Sequence, residues 1–385
     1  MPETVLFWLA LVTAVGYAGA LLEIVPGGLS LRRLRDVEPV APESAPPLSV
    51  VIAARDEERN IEEALASVLA QRYDPLEVIV VDDRSTDATG AILDRMAATS
   101  ARLRVVHVSE LPAGWLGKNH ALHVGAAEAR GEYLLFTDAD VVLEPTTLAR
   151  AVAYVRENRV DHLAAGPRVV MHSLLLRVFV VAFTLFFSIA FRPWRARDAR
   201  SPAHIGIGAF NLLRTGAYRA LGGHREIAMR PDDDIKLGKI VKKHGFRQDF
   251  VAGGEMVSVE WYATFGELVR GLMKNGFAGV DYRMSLVVGA TVAQLLFCVF
   301  PWIAVFVTTG ATQLLFGVAV LATFVMYAGA AREQRVSPLY GVSFPLTSLI
   351  FLYIVWRAAL VTLANDGIDW RGTHYPLEEL RANQV

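Results

Sequence analysis

Apolar and polar positions are unevenly spread along the 385 residues, and the unevenness predicts most of the architecture. Residues 5–25 are a near-continuous apolar run, about the ~20 residues a helix needs to cross a bilayer. No Lys or Arg precedes the run, and Leu31-Arg32-Arg33-Leu34-Arg35 follows it. A secretory signal peptide has the reverse order of charge, so the run reads as an N-terminal transmembrane anchor over 1–27. The positive-inside rule puts the chain after it in the cytoplasm. Runs at 285–307, 314–330 and 342–363 predict C-terminal transmembrane helices within 283–366, the first kinked at Pro301, and a tail over 367–385. Ala331-Arg332-Glu333-Gln334-Arg335 has the character of a cytoplasmic loop. Three crossings would leave the tail, with Trp370-Arg371-Gly372, outside unless one segment is re-entrant.

The middle of the chain has a different texture. Residues 28–47 form a linker, Pro-rich from 40 onward. Strands are predicted at 48–54, 77–81, 103–108 and 133–136, with the short apolar runs 78–81 and 133–136 reading as buried. Between them, helices are expected from 55 to about 70, over 86–98, and up to 129 after a Pro/Gly/Trp loop at 111–120. Strands alternating with helices of this length make a parallel, doubly wound α/β sheet, here within a globular domain over 48–282. Within it, residues 178–191 hold only Thr184 and Ser188 as polar positions. One crossing there would put acidic clusters on its two sides in different compartments. The expected form is an interfacial or re-entrant helix over 174–192, with Arg177, Arg192, Arg195 and Arg197 at the headgroups; a buried core helix is the alternative.

Composition narrows the chemistry. Hydrophobic content is 53%, and the excess lies in the terminal runs. A net charge of −1 argues against a polyanion-binding surface, so no nucleic-acid partner is expected. Cys298 is the lone cysteine, which excludes a disulfide framework or a cysteine metal site within one chain. His120 and His123 share at most one helical face, and read as a surface pair rather than a metal site.

Three acidic clusters remain: Val81-Asp82-Asp83-Arg84-Ser85, Thr137-Asp138-Ala139-Asp140 and Pro231-Asp232-Asp233-Asp234. The first two directly follow predicted strands, and the carboxyl ends of parallel strands are where open α/β sheets bind ligands. Acids at turns are usually caps or solvated faces; three in this order point instead to a hard cation bridging a nucleotide diphosphate. Asp138 or Asp140 would ligate Mg²⁺ or Mn²⁺, the phosphates completing the shell. A carboxylate across the reactive carbon would serve as base. Asp234, beside Asp233, opens an amphipathic helical pattern and suits that role, although it could also cap the helix.

These segments resemble family 2 glycosyltransferases of the GT-A fold, from Ser49 to about Gly279. The matching stretches are Ser49-Val50-Val51-Ile52-Ala53-Ala54-Arg55-Asp56-Glu57-Glu58, Val81-Asp82-Asp83-Arg84-Ser85-Thr86-Asp87 and Gly114-Trp115-Leu116-Gly117-Lys118-Asn119, with the later acidic stretches. Within the family the chain is most similar to the membrane-bound branch that glycosylates lipids, ceramide glucosyltransferases and hopanoid- or carotenoid-associated bacterial enzymes among them. The resemblance implies that Asp83 holds the nucleotide base beside Ala54 and Asp56. It implies Asp140 as principal metal ligand, Asp138 near the diphosphate or sugar, and Asp234 as base in an inverting single displacement. Lys118 is expected at the donor phosphates.

The Q-x-x-R-W motif of the ceramide-type branch and the processive synthases is absent from the sequence. Arg270 and Lys274, four apart, could instead neutralise the leaving diphosphate, or snorkel beside a membrane. The expectation is an inner-membrane, multi-pass enzyme moving one sugar from a nucleotide-sugar, a UDP-sugar first, to a lipid hydroxyl at the cytoplasmic leaflet. A polyprenyl-phosphate acceptor, a polysaccharide synthase, and a non-enzymatic scaffold or transporter are the alternatives.

Overall fold

The computed structural model describes residues 3–385. It divides into two compact units: one runs to Ser30 and adds Met171–Arg192 and Tyr262–Asn365, the other comprises Leu31–Val170, Pro193–Trp261 and Asp366–Val385.

In chain order, α1 (Glu3–Leu29) leads to β1 (Leu48–Ala54), α2 (Ile61–Leu69), β2 (Leu76–Asp83), α3 (Thr89–Ala97) and β3 (Leu103–Val108). Then come α4 (Gly117–Glu128), β4 (Tyr133–Asp138), β5 (Val141–Leu143), α5 (Thr147–Asn158) and β6 (His162–Val169). After α6 (Leu174–Phe191) the chain forms β7 (Asn211–Arg214), α7 (Thr215–Ala220), α8 (Asp233–Lys243) and β8 (Gln248–Val259). Helices α9 (Phe265–Gly276), α10 (Met284–Gln294), α11 (Phe300–Val307), α12 (Gly310–Glu333) and α13 (Phe344–Ala364) follow. A hairpin, β9 (Gly367–Trp370) and β10 (Thr373–Pro376), and α14 (Leu377–Ala382) complete it.

The sheet has eight strands in the order β3-β2-β1-β4-β7-β6-β8-β5. The four strands legible as apolar runs pair in parallel, as expected. Beyond β4 the sheet is mixed: β7 runs antiparallel to β4 and β6, β5 runs antiparallel to β8, and β6 pairs in parallel with β8. Helices flank a twisted, mixed sheet, the arrangement of GT-A folds. Alternation along the central strands serves two cores. Val50, Ile52, Val78, Val80 and Leu135 face one with Leu65 and Leu148; Val51, Ile79, Val81, Leu134 and Phe136 face the other with Leu122 and Leu237. Each such side chain, removed from water, contributes about 1.5–3 kcal/mol. A Cβ at Gly125 would lie 2.5 Å from Val51 Cγ1, so α4 sits close upon β1.

Register positions the acids. Ala54 pairs with Asp82 on one side of β1, and Ala53 with Asp138 on the other. Strand β2 runs through Asp83 and β4 through Asp138, two residues farther than their apolar cores suggest.

Among the described residues, five helical stretches are long and apolar enough to cross a membrane: Glu3–Leu29, Leu174–Arg195, Met284–Val307, Gly310–Glu333 and Pro338–Ala364. A π-helical turn at Leu295–Val299 precedes Phe300 and Pro301 within the span at 284–307. Here α6, α12 and α13 pack through Val181, Leu185, Met326, Tyr327 and Phe344. The last twenty residues belong to the sheet unit, where they form β9, β10 and α14.

Candidate active site

The carboxyl edge of β1, β2 and β4 gathers the sequence-predicted residues of the sheet unit. Asp83 is buried at 2% exposure. Its carboxylate accepts both arms of Arg84, Nε at 2.8 Å and Nη2 at 3.0 Å, and Arg55 Nη1 lies 3.7 Å away. Asp56 adopts φ 52°, and its Oδ1 accepts the Thr86 N–H at 2.8 Å, tying the β1–α2 and β2–α3 loops together. Ala54 closes the floor as a buried residue. Asp82 is outside the pocket: its Oδ1 accepts the Ser85 N–H at 3.2 Å and Oδ2 meets His107 Nδ1 at 2.9 Å.

The second cluster lies at the turn between β4 and β5. Lys118 Nζ stands 2.9 Å from Asp138 Oδ1 and 3.3 Å from Asp233 Oδ2. Burial works against this ammonium, but the charges of Asp138, Asp233 and Asp234 outweigh it and hold its pKa well above the ordinary range. Burial, then repulsion from Asp138 and Glu57, pushes the Asp140 carboxyl up to about 7. A cavity between β4, α4 and α8 is lined by Lys118, Asp138, Gly208, His224 and Asp233.

Asp234 is not the cap of α8. That position belongs to Asp232, whose side chain makes no capping bond; Asp232 holds the buried Arg230 guanidinium instead, with Nε at 2.8 Å. Asp234 Oδ2 accepts the Gly208 N–H and Oδ1 its neighbour Ile235 N–H, both at 2.8 Å. Burial, then the adjacent Asp233, raises the Asp234 pKa to about 7, with Lys118 opposing. The glycine stretch at 206–208 seats these acids. A Cβ at Gly206 would fall 1.8 Å from the Asp234 carbonyl oxygen, and one at Gly208 2.6 Å from Asp138 Oδ2. Gly222 and Gly223 form an ordinary turn with φ 83° and 63°.

Two supports were not singled out in the sequence. Asn119 Nδ2 donates to the carbonyls of Ile227 at 2.8 Å and Arg230 at 2.9 Å, fixing α4 to the loop before Asp233. His162 is fully buried between Asn211 Oδ1 at 2.8 Å and the Gln248 amide at 2.7 Å. Those amides in turn accept the N–H groups of Ile207 and Ile205, beside the glycine seat. Only Asn119 stood in a quoted motif; the others are isolated polar residues without a local signature. His120 and His123 flank the Trp115 ring, at 5.6 and 4.9 Å between centroids. Arg270 and Lys274 lie on α9, in the other unit.

A divalent cation fits the donor set. Asp138 and Asp140 repel each other beside Lys118, which already supplies positive charge. Among the described residues no group of three or more His, Cys, Asp or Glu side chains is arranged to hold a metal alone. A cation bound here would complete its shell with phosphate oxygens and water, as Mg²⁺ and Mn²⁺ do.

Residues 49–222 match the family model described as glycosyl transferase family 2. A 4,4'-diaponeurosporenoate glycosyltransferase of Staphylococcus aureus is 23% identical over 340 residues, covering 86% of this chain and 89% of its own. An uncharacterized glycosyltransferase of Haemophilus influenzae is 31% identical over 123 residues, covering 32% of this chain; the match spans 36% of that relative's length. Among solved structures, a mannosyltransferase from Pyrobaculum calidifontis in complex with GDP-Man and Mn²⁺ superposes with a TM-score of 0.55 at 20% identity, covering 92% of this chain and 99% of that one. Residues 49–222 thus form a family 2 glycosyltransferase domain, and the chain is a glycosyltransferase of GT-A fold.

Proposed function

We propose that this enzyme transfers one sugar from a nucleotide-sugar to a lipid acceptor at the cytoplasmic leaflet, with inversion at the anomeric carbon. The observation that carries the reading is the meeting of Asp138, Asp233 and Lys118 in one cleft beside Asp234. The nucleoside would lie over Ala54, Asp56 and Asp83. Asp140 and Asp138 would hold the divalent ion, which offsets charge developing on the departing diphosphate. Lys118 adds a fixed cation on the same side. The acceptor hydroxyl gives its proton to Asp234 as its oxygen bonds to the anomeric carbon, and the bond from that carbon to the diphosphate breaks. The Gly208 N–H orients the receiving carboxylate.

The lipid acceptor is supported by the five apolar helices and by the name of the S. aureus relative. That name also motivates a second reading, since an -oate acceptor is a carboxylate and attacks without a base. The sheet unit supports one reading of the membrane topology. Its three chain segments form one compact body, so all lie on one side of a bilayer, the cytoplasmic side by Arg32, Arg33 and Arg35. The chain then makes an even number of crossings between Trp261 and Asp366, and α6 returns to the side it left. Two of the three long C-terminal helices cross and the third does not, which leaves residues 366–385 cytoplasmic. On this reading 1–27 anchors the chain, 174–192 lies in the interface, and 283–366 holds the crossings.

Mass spectrometry of lipids from cells with and without the active protein tests the assignment. A hexose-bearing lipid present only with the protein is expected. Alkali-stable linkage would mark a hydroxyl acceptor and alkali-labile linkage a carboxylate; identical lipid profiles would contradict the proposal.

A further inference from the structure

The chain beyond α13 folds onto the loops that border Asp83. Its hairpin turns at Arg371 and Gly372, both with positive φ (52° and 73°), the signature of a two-residue type I′ turn. A non-glycine residue at the first position is strained by roughly 1–2 kcal/mol. The Arg371 side chain has three partners there: it donates to the carbonyls of Arg55 and Asp56, the latter at 3.1 Å, and to the Glu57 carboxylate. From β10, the buried Tyr375 hydroxyl accepts the Gly117 N–H at 3.2 Å and is hydrogen-bonded to Arg84, the residue that occupies the Asp83 carboxylate. A Cβ at Gly117 would fall 2.3 Å from Asp83 Oδ2, so Tyr375 reaches the same spot. Farther on, Asn383 Oδ1 accepts the Met229 N–H at 3.0 Å, and the Val385 carbonyl accepts Lys239 Nζ at 2.6 Å, on the helix of Asp234. Arg55 Nε and Nη1 are buried beside the subsite and make no hydrogen bond, lying 3.9 Å from Asp56 Oδ2 and 3.7 Å from Asp83 Oδ2.

We propose that this C-terminal hairpin is a wall of the donor-nucleoside subsite, with Arg371 and Tyr375 setting its aperture and hence its choice of nucleobase. Arg371 fixes the β1–α2 loop on one side of the base, and Tyr375 fixes Arg84 and the start of α4 on the other. A sugar-nucleotide therefore meets residues supplied from both ends of the sheet unit's sequence. The inference rests on the donor-site reading above. It goes beyond that reading in assigning base selectivity to residues outside the 49–222 domain.

The test is calorimetric titration of the full-length protein in nanodiscs with UDP, GDP and pyrophosphate, each with Mn²⁺, for wild type, Arg371→Ala and Tyr375→Phe. Both variants are expected to weaken the preferred nucleoside diphosphate at least tenfold, to narrow the UDP-to-GDP ratio, and to change pyrophosphate binding less than twofold. Tyr375→Phe keeps the buried ring and guards against a folding effect. Unchanged nucleotide affinity and ratio in both variants would overturn the hairpin's role alone. Equal loss for all three ligands would reduce it to general support and overturn it too. Wild type that binds neither UDP nor GDP would overturn the donor-site reading on which it rests.

Discussion

Asp234 and Gly208, twenty-six positions apart in sequence, meet through a 2.8 Å hydrogen bond from the Gly208 N–H to the Asp234 carboxylate. The contact is close because Gly208 has no Cβ; one would sit 2.6 Å from Asp138 Oδ2. The glycine thus touches the proposed base with its backbone and the proposed metal ligand with its missing side chain. Gly208→Ala is expected to lower kcat/KM at least tenfold while leaving the unfolding temperature within a few degrees. Steady-state kinetics beside thermal unfolding checks this; an active variant would remove the seat from the mechanism.

Gly238, inside α8, gives a contrasting case. Alanine normally stabilises a helix interior over glycine by about 1 kcal/mol. Here a Cβ would fall 1.9 Å from the Ile205 carbonyl oxygen, a backbone atom that has no rotamer to change. Gly238→Ala is expected to destabilise the protein by about 1–3 kcal/mol or more, as overpacking does. A rise in unfolding temperature would show that α8 and the 205–208 loop are less tightly joined than described.

Lys118 supplies positive charge to the carboxylates beside which a cation would bind. Its removal by Lys118→Met leaves Asp138, Asp140 and Asp233 facing one another without countercharge. The variant is expected to melt lower than wild type in EDTA and to gain more from Mn²⁺ alone, without nucleotide. Equal Mn²⁺-induced shifts in the two proteins would mean that ammonium and metal do not share a place.

The His162 imidazole is neutral, because burial pulls its pKa down from 6.5 to about 4. Gln248 donates to Nδ1 and Nε2–H donates to Asn211, so a second ring proton has no acceptor. The unfolded chain takes up that proton below about 6.5 and the folded one only near 4. Stability is therefore present above pH 6.5 and is lost as pH falls toward 4, by roughly 3 kcal/mol. Unfolding measured at intervals from pH 7 to 4 should show this slope, and His162→Gln should flatten it. A slope identical in the variant would assign the pH effect to other groups.

Legibility in the sequence followed the physics of each element. Strands β1, β2 and β4 were visible because both of their faces are buried, leaving unbroken runs such as 78–81. Strand β8 was not, since Gln248, Asp249, Gly253, Gly254 and Glu255 interrupt it and its pairing is with distant strands. The acidic residues stood out by type and by their position after the runs. The support beneath them did not: His162, Asn211 and Gln248 are single polar residues spread over more than eighty positions, brought together only by the β6–β7 and β6–β8 pairings. The folded tail was equally hidden, because Arg371 and Tyr375 bind loops more than 250 residues earlier.

The proposed transfer requires Asp234 to take the acceptor's proton. Turnover of Asp234→Asn with nucleotide-sugar and lipid acceptor, measured beside calorimetric binding of the nucleoside diphosphate, addresses this directly. The prediction is a loss of about two to four orders of magnitude in turnover, with nucleotide affinity within about twofold of wild type. Turnover within tenfold of wild type would contradict it.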